Sequence, residues 1–252
     1  MASFEGFRDA LLVADRVTAE LVRHGAEAVV LVGSHATRDA TPDSDIDLSA
    51  IGEGPPYQLE IKDDLLVSVG WASAEDQTRR LLEPEWIGTH VCGWQHAVVL
   101  HDLYGSAAEI KQQAVDWQWG PVEARCDHWV AANVTGLAEE VLRVVASLRH
   151  GDDLNAAAQR SVIVQRLAGP LAIHRRILYG SENRLWGLLA DDLGAKWRAA
   201  QASALGLTCD DLQTSCRSAL ELFELAVHDV RAVLNERQLG VVEHALRVAR
   251  AL

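Results

Sequence analysis

LVGSHATRDATPDSDIDL, residues 31–48, is the stretch that decides how the rest of the chain reads. It opens at the end of a continuous apolar run, residues 28–32, rich in β-branched side chains, which predicts a buried strand. Gly33 and Ser34 end that strand. Thr41-Pro42-Asp43-Ser44 carries turn chemistry: Pro fixes φ, and Asp and Ser bond readily to their own backbone. From residue 45 to residue 51 the chain alternates. Ile46 and Leu48 point one way; Asp45, Asp47 and Ser49 point the other. The arrangement is therefore strand, Gly-Ser, loop, and a second strand that opens on an Asp-x-Asp pair.

Each part of that arrangement has a chemical use. A glycine at the mouth of a strand lets a phosphate approach the backbone closely. Ser34 adds a hydroxyl, and a helix opening just after it offers unpaired N–H groups to an anion. Arg38 adds a fixed positive charge for a phosphate tail. Asp45 and Asp47 share one face of the strand, and carboxylates that close repel each other unless a cation sits between them. Hard carboxylate oxygens suit magnesium, which is commonly held by one or two carboxylates plus substrate phosphates. Two such ions would neutralise a triphosphate and activate an acceptor oxygen for in-line attack. Gly-Ser in a turn and Asp-x-Asp on an exposed strand are each common. The joint arrangement is the specific signal.

Working outward, residues 4–24 place Phe4, Phe7, Leu11, Ala14, Val17 and Leu21 at three- and four-residue steps, which predicts an amphipathic helix with Ser3 as N-cap and Gly25 just past its end. Gly52-Glu53-Gly54-Pro55-Pro56 breaks the chain. Residues 58–62 and 65–71 read as two strands of a hairpin turning at Lys62-Asp63-Asp64. A short helix over 74–82, a strand over 97–100 and a helix over 107–117 follow. Beyond Gly120-Pro121 no strand is recognisable. Helices are expected over 122–149, 154–179, 184–192, 196–204 and 210–236, with Gly169-Pro170 kinking or breaking the second, and a last short helix after Gly240. The expected fold class is α+β. A mixed sheet with flanking helices fills residues 1–120, and an all-helical bundle fills 121–252.

Composition narrows the function. Of 252 residues, 49% are hydrophobic and 23% charged, enough for a real core and unlike a disordered chain. A net charge of −13 argues against broad binding to nucleic-acid backbones, which need clustered Lys and Arg, and suits a small cationic acceptor. Four cysteines without a Cys-x-x-Cys pair read as reduced thiols. The start MASFEGFRDALLVADR lacks the apolar core of a secretion signal, and no stretch approaches the ~20 apolar residues of a spanning helix. A cytoplasmic protein away from membranes is the expectation. Asp102, past the strand over 97–100, reads as a turn cap rather than a base, and Glu139-Glu140 as a solvated helix face.

Gly33-Ser34 followed by Asp45-Ile46-Asp47 resembles the signature of the polymerase-β-like nucleotidyltransferase superfamily. The α/β-then-helical layout is similar to that of small bacterial aminoglycoside and lincosamide nucleotidyltransferases. The resemblance implies that Asp45 and Asp47 are catalytic carboxylates ligating Mg2+, and that Gly33, Ser34, Arg38 and Ser44 lie near a bound triphosphate. The family adds a third acid from a neighbouring strand, in an apolar-acid-apolar triplet. In Leu65-Leu66-Val67-Ser68-Val69, Ser68 stands where that acid is sought first. Leu59-Glu60-Ile61 on the partner strand fits the triplet, so Glu60 becomes the candidate third catalytic acid and metal ligand. The implied activity is magnesium-dependent transfer of a nucleoside monophosphate from an NTP, with ATP the expected donor. The acceptor is a hydroxyl on a small molecule such as an aminoglycoside-like antibiotic, held between the two domains, and pyrophosphate is released. The alternatives are a protein or RNA acceptor, or a catalytically degraded relative that only binds nucleotide.

Overall fold

Ala10, Val13, Ala14, Val17 and Leu21 run at helical spacing along helix α1 (Ala2–Arg23) and are buried against one face of a sheet. The computed structural model describes residues 2–252, with side chains from Ala10 onward; those of Ser3, Phe4 and Phe7 lie outside the described residues. The sheet has five strands, β1 (Ala28–Val32), β2 (Ile46–Ile51), β3 (Tyr57–Lys62), β4 (Leu65–Ala72) and β5 (Val98–Asp102), in the order β3-β4-β2-β1-β5. β1 pairs antiparallel with β2 and β5, and β3 with β4, while β2 and β4 run parallel. The architecture is mixed α+β.

Strand alternation sets the two faces of this sheet. Val29, Leu31, Ile46, Leu48, Ala50, Val67, Val69 and Trp71 form the core with α1. Asp47 and Ser49 therefore point to the other face. Register fixes the rows on that face: Val32 pairs with Asp47, Asp47 with Ser68, and Ser68 with Leu59. The β3–β4 hairpin turns at Asp63 and Asp64, both with positive φ (49° and 63°), as a two-residue turn that matches strand twist. Arg16 of α1 forms an ion pair with Asp63.

Four more helices complete the first part: α2 (Gly33–Thr37), α3 (Ala74–Arg80), α4 (Pro84–His96) and α5 (Ser106–Val115). The sequence reading has no counterpart to α4. Its buried Ile87, Val91 and Trp94 are spaced for a helix and Pro84 occupies its first turn. Gly88, Gly93, Thr89 and Val91 lower the local helix propensity, so the pattern is hard to see in isolation. Asp102 behaves as a cap, its Oδ2 accepting the Ala108 N–H at 2.9 Å.

The chain divides into two compact units, Met1–Gln118 and Trp119–Leu252. The second is all helical: α6 (Glu123–Gly136), α7 (Ala138–His150), α8 (Asp153–His174), α9 (Glu182–Ala204), α10 (Leu212–Asp229) and α11 (Glu236–Arg250), around buried Val134, Leu137, Val144, Ile163, Leu167 and Phe223. Helix α8 continues through Pro170 rather than breaking there. Gly194, with φ 84° and ψ −168°, interrupts α9 between the two helices expected on either side of it. The last helix starts at Glu236, four residues before Gly240, and runs for 15 residues. No helix among the described residues is long and apolar enough to cross a membrane.

Leu31, 1% exposed at the centre of the α1–sheet core, tests this packing. Leu31→Ala is expected to cost about 2–5 kcal/mol of stability in urea unfolding. A loss below about 1 kcal/mol would contradict the placement of the core.

Candidate active site

At the end of β1 the backbone turns into α2 at Gly33, whose φ is +68°. A Cβ at that position would meet Asp47 Oδ2 at 2.2 Å and Asp47 Cβ at 3.2 Å. Two independent constraints thus demand glycine: a backbone conformation that L side chains avoid, and a carboxylate packed directly on the α-carbon. Ser68, across the parallel pair, donates its hydroxyl to Asp47 Oδ1 at 2.6 Å, a short charge-assisted bond. Asp45, two residues before Asp47, acts on it by charge.

These neighbours set the acidity of Asp47. Burial is the largest influence and raises its pKa above the usual carboxylate value. The Ser68 hydrogen bond opposes that rise, the Asp45 charge adds to it, and the nearby buried His35 of α2 opposes it. The ionised form is therefore costly at this position, and a cation beside the two carboxylates would relieve that cost.

A polar network fills the same face further along β2. Gln77 of α3, 2% exposed, donates its amide to Ser49 Oγ at 2.8 Å and accepts from Trp94 Nε1 at 3.4 Å. The His90 ring donates from Nε2 to the Gln77 carbonyl at 2.8 Å. Burial pushes the His90 pKa down to about 4, so the ring is neutral at neutral pH and its role is structural. Sequence reasoning missed this network. Ser49 carried one signal, its place on the Asp45–Asp47 face, while Gln77 carried none beyond being a polar residue on a short helix.

The other candidates divide. Ser34 follows Gly33 directly, and its carbonyl accepts the Thr37 hydroxyl at 3.2 Å and the Asp39 N–H at 3.0 Å, which secures the loop. Arg38 is exposed at the C-cap of α2 in a left-handed conformation (φ 65°), about 7 Å along the helix from Gly33. The Ser44 hydroxyl accepts the Thr41 N–H at 2.8 Å and so closes its own turn.

Glu60 is a correction. Its backbone pairs with Val67, which pairs with Ile46, so the pleat places Glu60 on the α1 face, opposite Asp47. There Lys62 Nζ lies 3.4 Å from Glu60 and 2.8 Å from Glu20 of α1. The apolar members of the triplet, Leu59 and Ile61, take the Asp47 face instead. No three His, Cys, Asp or Glu side chains gather into a metal-binding group anywhere among the described residues. The structure brings Gly33, Asp47 and Ser68 together, with Asp45 and the buried His35 near enough to act on Asp47 by charge.

The raised pKa of Asp47 predicts an effect on stability. An acid whose folded pKa is raised destabilises the fold wherever it is ionised. The penalty is absent below the unfolded pKa, where both states are protonated, and grows as pH rises through the folded pKa. Asp47→Asn keeps an acceptor for Ser68 and removes the charge. The variant is expected to unfold at a higher temperature than wild type at pH 7, with the difference fading as pH falls toward 3.8, the ordinary value. A lower midpoint at pH 7 would refute the assignment.

Residues 16–88, which include β1, the Gly33 turn, Asp45, Asp47 and Ser68, match the family model described as nucleotidyltransferase domain. No curated protein matches the chain. Among solved structures, a nucleotidyltransferase-like protein from Exiguobacterium sibiricum 255-15 resembles it with a TM-score of 0.51 and 14% identity, over 95% of this chain and 79% of the other. That likeness concerns the fold. The matched residues 16–88 hold the Gly33–Asp47 contact, so this part of the chain is similar to a nucleotidyltransferase domain.

Proposed function

We propose that the domain binds a nucleoside triphosphate, ATP being the expected donor, with Mg2+. It then transfers the nucleoside monophosphate to a hydroxyl on a small molecule, and pyrophosphate is released. The observation that carries this reading is the contact between Gly33 and the Asp47 carboxylate. It sets the Asp47 carboxylate directly on the turn into α2, where the triphosphate tail is proposed to lie. Asp45 and Asp47 are hard oxygen donors on one face, and they suit a magnesium ion that completes its shell with phosphate oxygens. Asp45 and Asp47 would hold that ion, which when bound neutralises triphosphate charge. Ser68 orients Asp47 through its hydrogen bond. Ser34 and Arg38 on the α2 loop are the residues proposed to meet the phosphate tail.

The acceptor is proposed from charge. A net charge of −13 favours a cationic small molecule, such as an aminoglycoside-like antibiotic, over RNA. Antibiotic modification in the cytoplasm is the corresponding biological role. A second reading, nucleotide binding without transfer, is favoured by one observation: Ser68 is a hydroxyl, and Glu60 is turned away.

Calorimetric titration with each NTP, with and without Mg2+, tests the donor site. Pyrophosphate release over a panel of aminoglycosides and neutral hydroxyl acceptors tests transfer. Magnesium-dependent binding and release with a cationic acceptor are expected. Binding without release from any acceptor would select the second reading. Asp47→Asn is expected to lower turnover at least about 10²-fold. Gly33→Ala, whose Cβ would overlap Asp47 Oδ2, is expected to weaken nucleotide binding along with stability. Unchanged turnover in Asp47→Asn would overturn the site.

A further inference from the structure

We infer that this site holds one divalent cation with the triphosphate rather than two, and that Ser68 sets that number. The inference rests on the nucleotide-binding reading above. Because β2 and β4 are parallel and in register, residue 68 stands beside Asp47 in a single row. It is the β4 side chain placed to share a ligand with Asp47. In this chain it is a hydroxyl, 8% exposed, that donates to Asp47 Oδ1 at 2.6 Å. The rest of the row is apolar, with Val32 on one side and Leu59 on the other. Asp45 supplies a second carboxylate from just before β2. Glu60 cannot supply a third, because the pleat turns it to the α1 face, where Lys62 pairs with it.

Ligand count then decides. One magnesium or manganese ion is satisfied by one or two carboxylates together with phosphate oxygens. Two ions about 3.5–4 Å apart double the positive charge and need a further anionic ligand beside the shared carboxylates. No three candidate ligand side chains gather among the described residues. The one side chain that could extend the set spends its proton on Asp47 Oδ1, which makes that oxygen a poorer donor to a second ion.

Native mass spectrometry of the full chain with Mn2+ and the α,β-methylene analogues of the four NTPs counts ions on the nucleotide-bound protein. One Mn2+ per bound analogue is expected for wild type and for Ser68→Ala, and two for Ser68→Asp. Circular dichroism checks that each variant folds. Two ions on the wild type would overturn the inference whatever the variants do. One ion on a folded Ser68→Asp would overturn the role given to Ser68. If no analogue is retained with any ion, the donor-site reading itself fails, and this inference with it.

Discussion

The contact between the Gly33 backbone and the Asp47 carboxylate constrains everything else at this end of the sheet. β1 and β2 are antiparallel neighbours, so Val32 lies beside Asp47 and the chain leaving β1 must pass over the carboxylate. It does so at 2.2 Å from where a Cβ would sit, in a conformation with φ +68°. Glycine resolves both problems together. The same alternation that turns Asp47 to this face buries Ile46 and Leu48 against α1. Core and site are thus two faces of one six-residue strand, and a slip of one residue would exchange them.

That coupling explains which parts were legible in the sequence. The strand over residues 46–51 alternates with one face fully buried, so its pattern has one reading. The edge strand β3 alternates just as strictly, but the pattern does not say which set faces α1. The polar set does: Lys62 reaches Glu20, and Gln58 accepts from Trp71 Nε1 at 3.1 Å. Leu59 and Ile61 stay exposed on the other face, at 55% and 64%. The triplet Leu59-Glu60-Ile61 therefore fits a motif by composition and fails it by orientation. Only register, which depends on a non-local pairing with β4, tells the two apart. Local signals fared better where one residue dictates conformation, as at Asp63-Asp64 and Gly194. They fared worse at Pro170, where burial within a long helix prevails over a local preference to break.

Within the site the difference is one of contact rather than identity. Gly33, Asp45 and Asp47 stand out as residue types at a spacing. That Gly33 lies on Asp47, that Ser44 spends its hydroxyl on the Thr41 turn, and that Gln77 ties Ser49 to His90 and Trp94 all depend on which side chains converge in space. The Gln77 network matters because it fills the face beyond Asp47 with neutral, mutually satisfied groups. Among the described residues, the charges that act on Asp47 come from Asp45 and His35 and not from this network.

Ser68 completes this electrostatic argument. Asp47 is already hard to ionise through burial and the Asp45 charge. A third carboxylate in register with it would add a second like charge at close range, and such a site depends on bound cations to exist in ionised form. A hydroxyl at the same position does the reverse. It donates a hydrogen bond to the ionised form and lowers the cost of keeping Asp47 charged and oriented before any ligand arrives. Replacing an acid by serine thus exchanges capacity for cations against preorganisation of the carboxylate that remains. Whatever else occupies this face, Ser68 is the neighbour whose hydrogen bond keeps Asp47 charged and oriented against its burial and the Asp45 charge.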